Sequence, residues 1–302
     1  MAIHRRTAAR TGLAAGAVLA LGALTACGGG DGGGDGGDAG STLEQLQEQG
    51  TVTIAIADER PYSWMEGDEP LGATIAMHEE IFGNLGIDDI QIEQVDWNSL
   101  IPGLNAGRFD VISAGMSILP ERCEQAAFSD PEIMYTTALM VPEGNPQGLT
   151  DLDSVVDAGG DVDLAVLSGG IEEGYAESLG IENVQTVSDA QSGMDAVSNG
   201  RADAFAMTAI SLNWMAENNP DAGVETTDAF VQVIDGVEQV GAGATVFRQD
   251  DTELLEAYNE ELANITGDED AYLGLVGEYG FTAENLPPET MTTEQLCAGD
   301  LE

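Results

Sequence analysis

The chain of 302 residues contains no lysine, eight arginines, two histidines and three cysteines. Arg5, Arg6 and Arg10 precede the first acidic residue, Asp31, so the remainder sets five arginines against 55 acidic residues, a formal charge of −50. A body so charged repels nucleic acid and anionic lipid at long range, which excludes a nucleic-acid binder. The same self-repulsion opposes compaction unless salt shortens the Debye length, to about 3 Å at ~1 M. The composition is that of a halophilic protein built for salty surroundings. Metal and nucleophile chemistry are equally undersupplied. Beyond the first residues the one histidine is His78, beside Glu79 and Glu80 on a predicted helix, where a solvated face is expected. Neither a zinc cluster nor a Ser–His or Cys–His pair can be assembled from that inventory. No catalytic residue, metal or cofactor is expected, and the chain reads as a binder, not an enzyme. A hydrophobic content of 43% excludes wholesale disorder.

What is present begins with an export signal. Arg5, Arg6 and Arg10 form a positive n-region, and Leu13 to Leu24 a short apolar stretch, too short for a stable bilayer span. Leu24-Thr25-Ala26-Cys27 closes it and resembles the lipobox of bacterial lipoproteins, in which the cysteine is lipidated and becomes the first mature residue. Residues 1–26 are thus expected to be a lipoprotein signal peptide and 27–42 a lipidated Cys27 with a Gly/Asp-rich tether. The protein is expected outside the bacterial cytoplasmic membrane, held to its outer face by the lipid alone. Two cysteines remain, Cys123 and Cys297. In an exported chain they point to a disulfide closing a loop of about 174 residues.

The body alternates strand and helix, the mark of an α/β layered domain. Strands are predicted at Val52–Ala57, Ile90–Val95, Asp110–Ser113, Asp163–Val166, Val184–Val187 and Asp203–Met207. Helices are predicted at Ala73–Leu85, Asn98–Ala106, Glu172–Leu179, Ala190–Ser198 and Thr208–Asn218. Near the end, Asp250 and Glu253 read as a capping box ahead of the stripe Leu254, Leu255, Tyr258, Leu262 and Ile265. An internal echo links the two series. Gly107-Arg108-Phe109-Asp110 and Gly200-Arg201-Ala202-Asp203 each end a helix and start a strand, 93 residues apart. Gly at such a point is the left-handed C′ residue, so the motif is structural and implies two lobes of similar build. A cleft between two lobes is a common place for a small-molecule site.

Asp96 to Leu104, Gly107 to Val111, Ala114 to Arg122 and Phe128-Ser129-Asp130-Pro131 together resemble the first lobe of the family 3 solute-binding proteins of ABC importers. Arg122-Cys123-Glu124-Gln125, Leu167 to Tyr175 and Glu294-Gln295-Leu296-Cys297 resemble the ectoine and hydroxyectoine binders within it. The resemblance implies a two-lobe periplasmic-binding-protein-like (type II) fold, with crossings near Ala138–Glu143 and Val240–Phe247. Residues 43–139 and 240–302 would form lobe 1 and 140–239 lobe 2. It also implies a site. Arg122 would grip a ligand carboxylate with its fork of donors. Gly169 and Gly170 would bring backbone N–H groups to the same carboxylate from lobe 2. Where many α-amino-acid binders place an Asp for the ammonium, the register gives Thr208. Where they usually carry an aromatic, it gives Glu59, suited to a delocalised cation such as the amidinium of ectoine. Tyr62 and Trp97 would enclose the ligand, Trp97 offering a face to the cation. Ser117 stands where the ectoine binders have a third ring, which predicts a looser enclosure.

The expected function is capture of a small zwitterionic compatible solute, ectoine or hydroxyectoine, for permease subunits of an ABC importer by a monomeric lipoprotein. A polar amino-acid binder of the same family and a sensory ligand-binding subunit are the alternatives.

Overall fold

The structure is a computed structural model and describes residues 41–299. The expected signal peptide, Cys27 and nearly all of the tether lie outside the described residues. The described chain begins at Ser41, whose side chain caps the helix Thr42–Gln49 in a reciprocal box with Glu44.

The strands are β1 (Thr51–Ile56), a short hairpin β2 and β3 (Trp64–Glu66, Glu69–Leu71), β4 (Asp89–Gln94), β5 (Val111–Ser117), β6 (Ala127–Phe128) and β7 (Ile133–Tyr135). There follow β8 (Thr137–Pro142), β9 (Leu164–Leu167), β10 (Val184–Val187), β11 (Ala204–Thr208), β12 (Val224–Thr226), a hairpin β13 and β14 (Gln232–Ile234, Val237–Gln239), and β15 (Gly241–Phe247). They make two main sheets, β4-β1-β5-β15-β6 with β7 also on β15, and β10-β9-β11-β8-β12. Each is built to one plan. Three parallel strands, β4-β1-β5 or β10-β9-β11, are followed by an antiparallel one, β15 or β8. Each lobe thus receives a strand that follows the other lobe's series in the chain. This is the two-lobe type II arrangement of the resemblance. The change of sheet falls at Thr136, earlier than expected, because Thr137 already pairs with Thr208 on β11. The return runs from Phe230, bridged to Thr137, to Gly241 opposite Tyr135.

The echo motif does the same work in both lobes. Gly107 and Gly200 are left-handed, with φ of 68° and 65°. Asp110 then accepts the Thr53 amide on its carboxylate at 2.9 Å and donates its own amide to the Thr53 carbonyl at 2.8 Å. Asp203 clamps Asp163 with the same two distances. The motif therefore sets the register of the third parallel strand against the first.

In the first lobe, Ile54, Ile56, Ile81, Phe82, Tyr258 and Leu262 form a core on one face of the sheet, and Leu100, Leu104, Phe109, Ile112 and Met116 form one on the other. Two local expectations are corrected. The helix Thr252–Thr266 does bury Leu254, Tyr258, Leu262 and Ile265, but it starts from Asp251 without a side-chain cap, so the Asp250–Glu253 box does not form. Asp251 instead holds Arg248 at 2.8 Å and accepts from Thr42. His78 is fully buried, not solvated, because its turn of the helix Ala73–Asn84 faces the sheet, where Nε2 meets Thr245 Oγ1 at 3.2 Å and Nδ1 meets the Thr74 carbonyl. Burial pushes its pKa down to about 4, so it is neutral at pH 7.

Cys123 and Cys297 form the expected disulfide, with Cα atoms 5.7 Å apart. It joins the short helix Pro120–Cys123, which carries Arg122, to the terminal helix Thr293–Ala298.

Candidate functional site

The parallel strands of both sheets point their C-terminal ends at the cleft, the usual place for a ligand in open α/β sheets. Glu59 and Tyr62 follow β1, Trp97 follows β4, Ser117 ends β5, Gly170 follows β9 and Thr208 ends β11. All six line one cavity of about 30 Å³ between the lobes. Arg122 is absent from that lining. It lies buried behind it, its Cζ 5.5 Å from the Trp97 ring centroid.

Interlobe hydrogen bonds surround the cavity. Arg122 donates from one lobe-1 position to Ser117 O at 3.0 Å and across the cleft to Gly169 O at 2.8 Å. Trp97 Nε1 donates to the same Gly169 oxygen at 3.1 Å, and Asn98 Nδ2 to Ser168 Oγ at 3.1 Å. Gly169 has φ of 76°, and a Cβ there would lie 2.4 Å from Asn98 Oδ1, so only glycine lets the lobes approach this closely. The two glycine amides are not free for a ligand: Gly169 N–H donates to Glu173 at 2.6 Å and Gly170 N–H to Leu167 O at 2.9 Å. The tight turn ahead of the helix Ile171–Leu179 uses them, which corrects the expected role of these groups.

Glu59 is 7% exposed and receives its bonds from the other lobe. Ser211 Oγ donates to its Oε1 at 2.8 Å, and Thr208 Oγ1 stands 3.3 Å from the same atom and 3.0 Å from Ser211 Oγ. Glu59 and its neighbour Arg60 do not form a salt bridge. Tyr62 is 1% exposed, and its hydroxyl has no hydrogen-bond partner among the described residues. A buried unpaired hydroxyl beside a cavity is costly unless a ligand pairs it.

Three further residues complete the site. Tyr135 lines the cavity, its ring set edge-on to Tyr62 at 6.1 Å, with its hydroxyl bonded to Ser117. It brings a second tyrosine ring into the wall beside Ser117. Glu172 is a second buried carboxyl in the cavity wall, with Thr137 Oγ1 at 3.5 Å. Ser211 is fully buried, one turn into the helix Ala209–Asn218. A Glu at the start of a helix and a Ser within one are ordinary surface features in a sequence, and a Tyr on a short strand is ordinary core. None carries a signal of its own.

Burial pushes the carboxyls of Glu59 and Glu172 up to about 7. For Glu59 the Ser211 bond opposes that shift and the Glu172 charge contributes to it; for Glu172 a backbone hydrogen bond and then the Arg122 charge oppose it. With both ionised, the site carries two anions against the one Arg122 cation, and so favours a ligand bearing positive charge. The folded protein holds protons here that the unfolded chain releases between about 4.5 and 7, so these groups destabilise the unliganded fold as pH rises through that window. A cationic ligand binds the deprotonated form. Its affinity is therefore expected to rise from pH 5 to 8, with protons released on binding at pH 6, as measured by calorimetry in buffers of different ionisation enthalpy. No proton release at pH 6 would contradict this.

Residues 52–272 match the bacterial extracellular solute-binding proteins, family 3. The chain belongs to that family. It is 33% identical over 264 residues, 85% of this chain and 86% of the relative, to a probable amino-acid ABC transporter periplasmic-binding protein of Sinorhizobium fredii. It is 28% identical to the arginine-binding extracellular protein ArtP of Bacillus subtilis, across 68% of this chain and 76% of that one. Among solved structures, EhuB in complex with hydroxyectoine superposes with a TM-score of 0.75 at 33% identity, covering 85% of this chain and 97% of EhuB. The chain is thus a substrate-binding protein of an amino-acid-type ABC importer, not an enzyme, and works with permease components as is general for family 3.

Proposed function

We propose that this family 3 protein captures ectoine or hydroxyectoine for import, as a monomeric lipoprotein anchored through Cys27 to the outer face of the cytoplasmic membrane. The observation that carries the ligand is Glu59, a buried carboxylate tied to Ser211 and Thr208 and walled by Tyr62, Trp97 and Tyr135. A compact, delocalised cation fits such a box: the carboxylate supplies charge and the rings supply faces. The ligand carboxylate takes the place of the Gly169 carbonyl at Arg122, whose five N–H donors leave room for a forked grip. The similarity to EhuB supports this reading. The acidic surface keeps the protein soluble in the salty medium where such solutes are taken up.

A second reading has its own observation. Glu172 adds a second buried carboxyl, and a basic amino acid, with two cationic groups and one carboxylate, would leave no charge unbalanced. ArtP supports it. Calorimetric titration of residues 43–302 at high salt against ectoine, hydroxyectoine, glycine betaine, proline and the twenty amino acids separates the two. Ectoines are expected to bind and basic amino acids not to; the reverse result moves the ligand and leaves the family unchanged.

A further inference from the structure

Arg60 stands one residue beyond Glu59, and its guanidinium lies against two neighbouring indoles. Its Cζ is 5.5 Å from the Trp64 ring centroid and 5.2 Å from that of Trp214, the two rings being 6.1 Å apart at 45°. Trp64 belongs to the first lobe, on β2, where Tyr279 backs it edge-on at 5.9 Å. Trp214 belongs to the second lobe, on the helix Ala209–Asn218 that also carries Ser211, one turn earlier on the same face. It packs against the second lobe's core. The three side chains therefore join the lobes, and none of them lines the ligand cavity. Among the described residues the Arg60 charge is paired with no carboxylate.

The surroundings give this stack a purpose. Arg60 and Trp214 line a groove of about 510 Å³ to which the first lobe also brings Asp58 and Glu66. On the neighbouring stretch of the cleft, Asp58 and Asp96 of the first lobe share a groove with Asp189 of the second. Closing the lobes brings like charges together there, and a cation held by rings from both sides opposes that repulsion. Planar guanidinium on indole also suits a salty medium. Exposed ion pairs are screened at high ionic strength, whereas the stacking contact and its excluded apolar area persist.

We propose that Arg60, Trp64 and Trp214 form an interlobe clasp that holds the lobes together and so slows solute release without touching the solute. Arg60 is a positioning residue, acting through the balance between open and closed lobes. A ligand whose binding-competent state is less populated binds more weakly by that fraction. The proposal rests on the reading of the protein as a solute binder whose lobes part and close.

The test uses Arg60→Ala, Trp214→Ala and the double variant. Both positions are only partly buried, so the fold should survive their loss. Hydroxyectoine and, separately, L-arginine serve as probes in stopped-flow release. Each single variant is expected to speed release about tenfold while the protein stays folded, with the melting temperature lowered more for Trp214→Ala, which also loses core packing, than for Arg60→Ala. The double variant should be no worse than the more severe single one, since Trp214→Ala alone already removes both contacts by which the three side chains cross between the lobes. Arg60→Lys should recover part of the loss. Small-angle scattering without any probe gives a reading independent of ligand identity, with a larger radius of gyration expected for Arg60→Ala than for the wild type. If neither probe binds but the scattering differs, the clasp stands and the ligand reading falls. Identical scattering, with release unchanged or no probe bound, overturns the clasp, as do strictly additive effects in the double variant.

Discussion

Glu59→Gln is expected to weaken binding of a cationic ligand by on the order of a hundredfold or more while making the unliganded protein more stable at pH 8. The two effects have opposite signs for one reason. Glu59 is a desolvated carboxylate whose pKa burial pushes up to about 7, so above that pH its charge destabilises the empty fold. The same charge is what a bound cation pairs with, and truncating one partner of a buried, hydrogen-bonded charge pair costs about 2–5 kcal/mol. Glutamine keeps the shape and can still meet Ser211 and Thr208. Calorimetry for affinity and thermal melting at pH 5 and pH 8 check both halves: at pH 5 the melting difference should shrink, because wild-type Glu59 is then protonated. If the ligand presents a neutral end to Glu59, affinity will scarcely change. Glu172→Gln extends the comparison, because a basic amino acid should lose affinity in both variants, whereas a zwitterion balanced by Glu59 alone should lose it chiefly in the first.

Replacing both disulfide cysteines by serine, Cys123→Ser with Cys297→Ser, should lower stability by about 5 kcal/mol on the chain-entropy account of a loop this long. For a domain of this size that corresponds to a fall in melting temperature on the order of 10–20 °C. The loss should not be confined to stability. Arg122 immediately precedes Cys123 on a helix of four residues, too short to hold itself. The terminal helix is itself anchored by burying Leu296 and donating from Thr293 Oγ1 to Ser129 O at 2.7 Å, and the disulfide ties the Arg122 segment to it. Without the bond, ligand affinity should fall as well, because Arg122 must then be ordered at the moment of binding. Calorimetric melting and titration of the double variant measure both. A shift of only a few degrees with unaltered affinity would mean that packing alone secures the terminal helix.

Much of the molecule is local and could be read from the chain. Strand and helix follow from short-range apolar patterns, so the helix Ala190–Ser198 and the strand Val184–Val187 begin and end where the pattern places them. Gly107 and Gly200 announce helix ends because a left-handed residue is needed there whatever lies around it. The absence of lysine and the surplus of acid are likewise properties of the chain before it folds. The grouping of Glu59, Tyr62, Trp97, Ser117, Gly170 and Thr208 came through family resemblance, and the cavity contains all six.

The remainder depends on which segments the fold brings together. His78 looks solvated beside two glutamates until its helix turns that face onto β15, from 167 residues away. Tyr135 and Glu172 enter the site only because the chain changes sheets at Thr136 and a lobe-2 helix starts against the cavity. Ser211 reaches Glu59 across 152 residues. One arm of the Arg122 fork is committed to the Gly169 carbonyl, a partner that exists only when the lobes meet. Composition, secondary structure and the echo of two lobes were determined by the sequence alone, since short-range sterics and periodicity decide them. The protonation of the site, its third ring and the clasp at its edge were decided by tertiary structure, because burial and the approach of distant charges and rings have no signature in the residues that will undergo them.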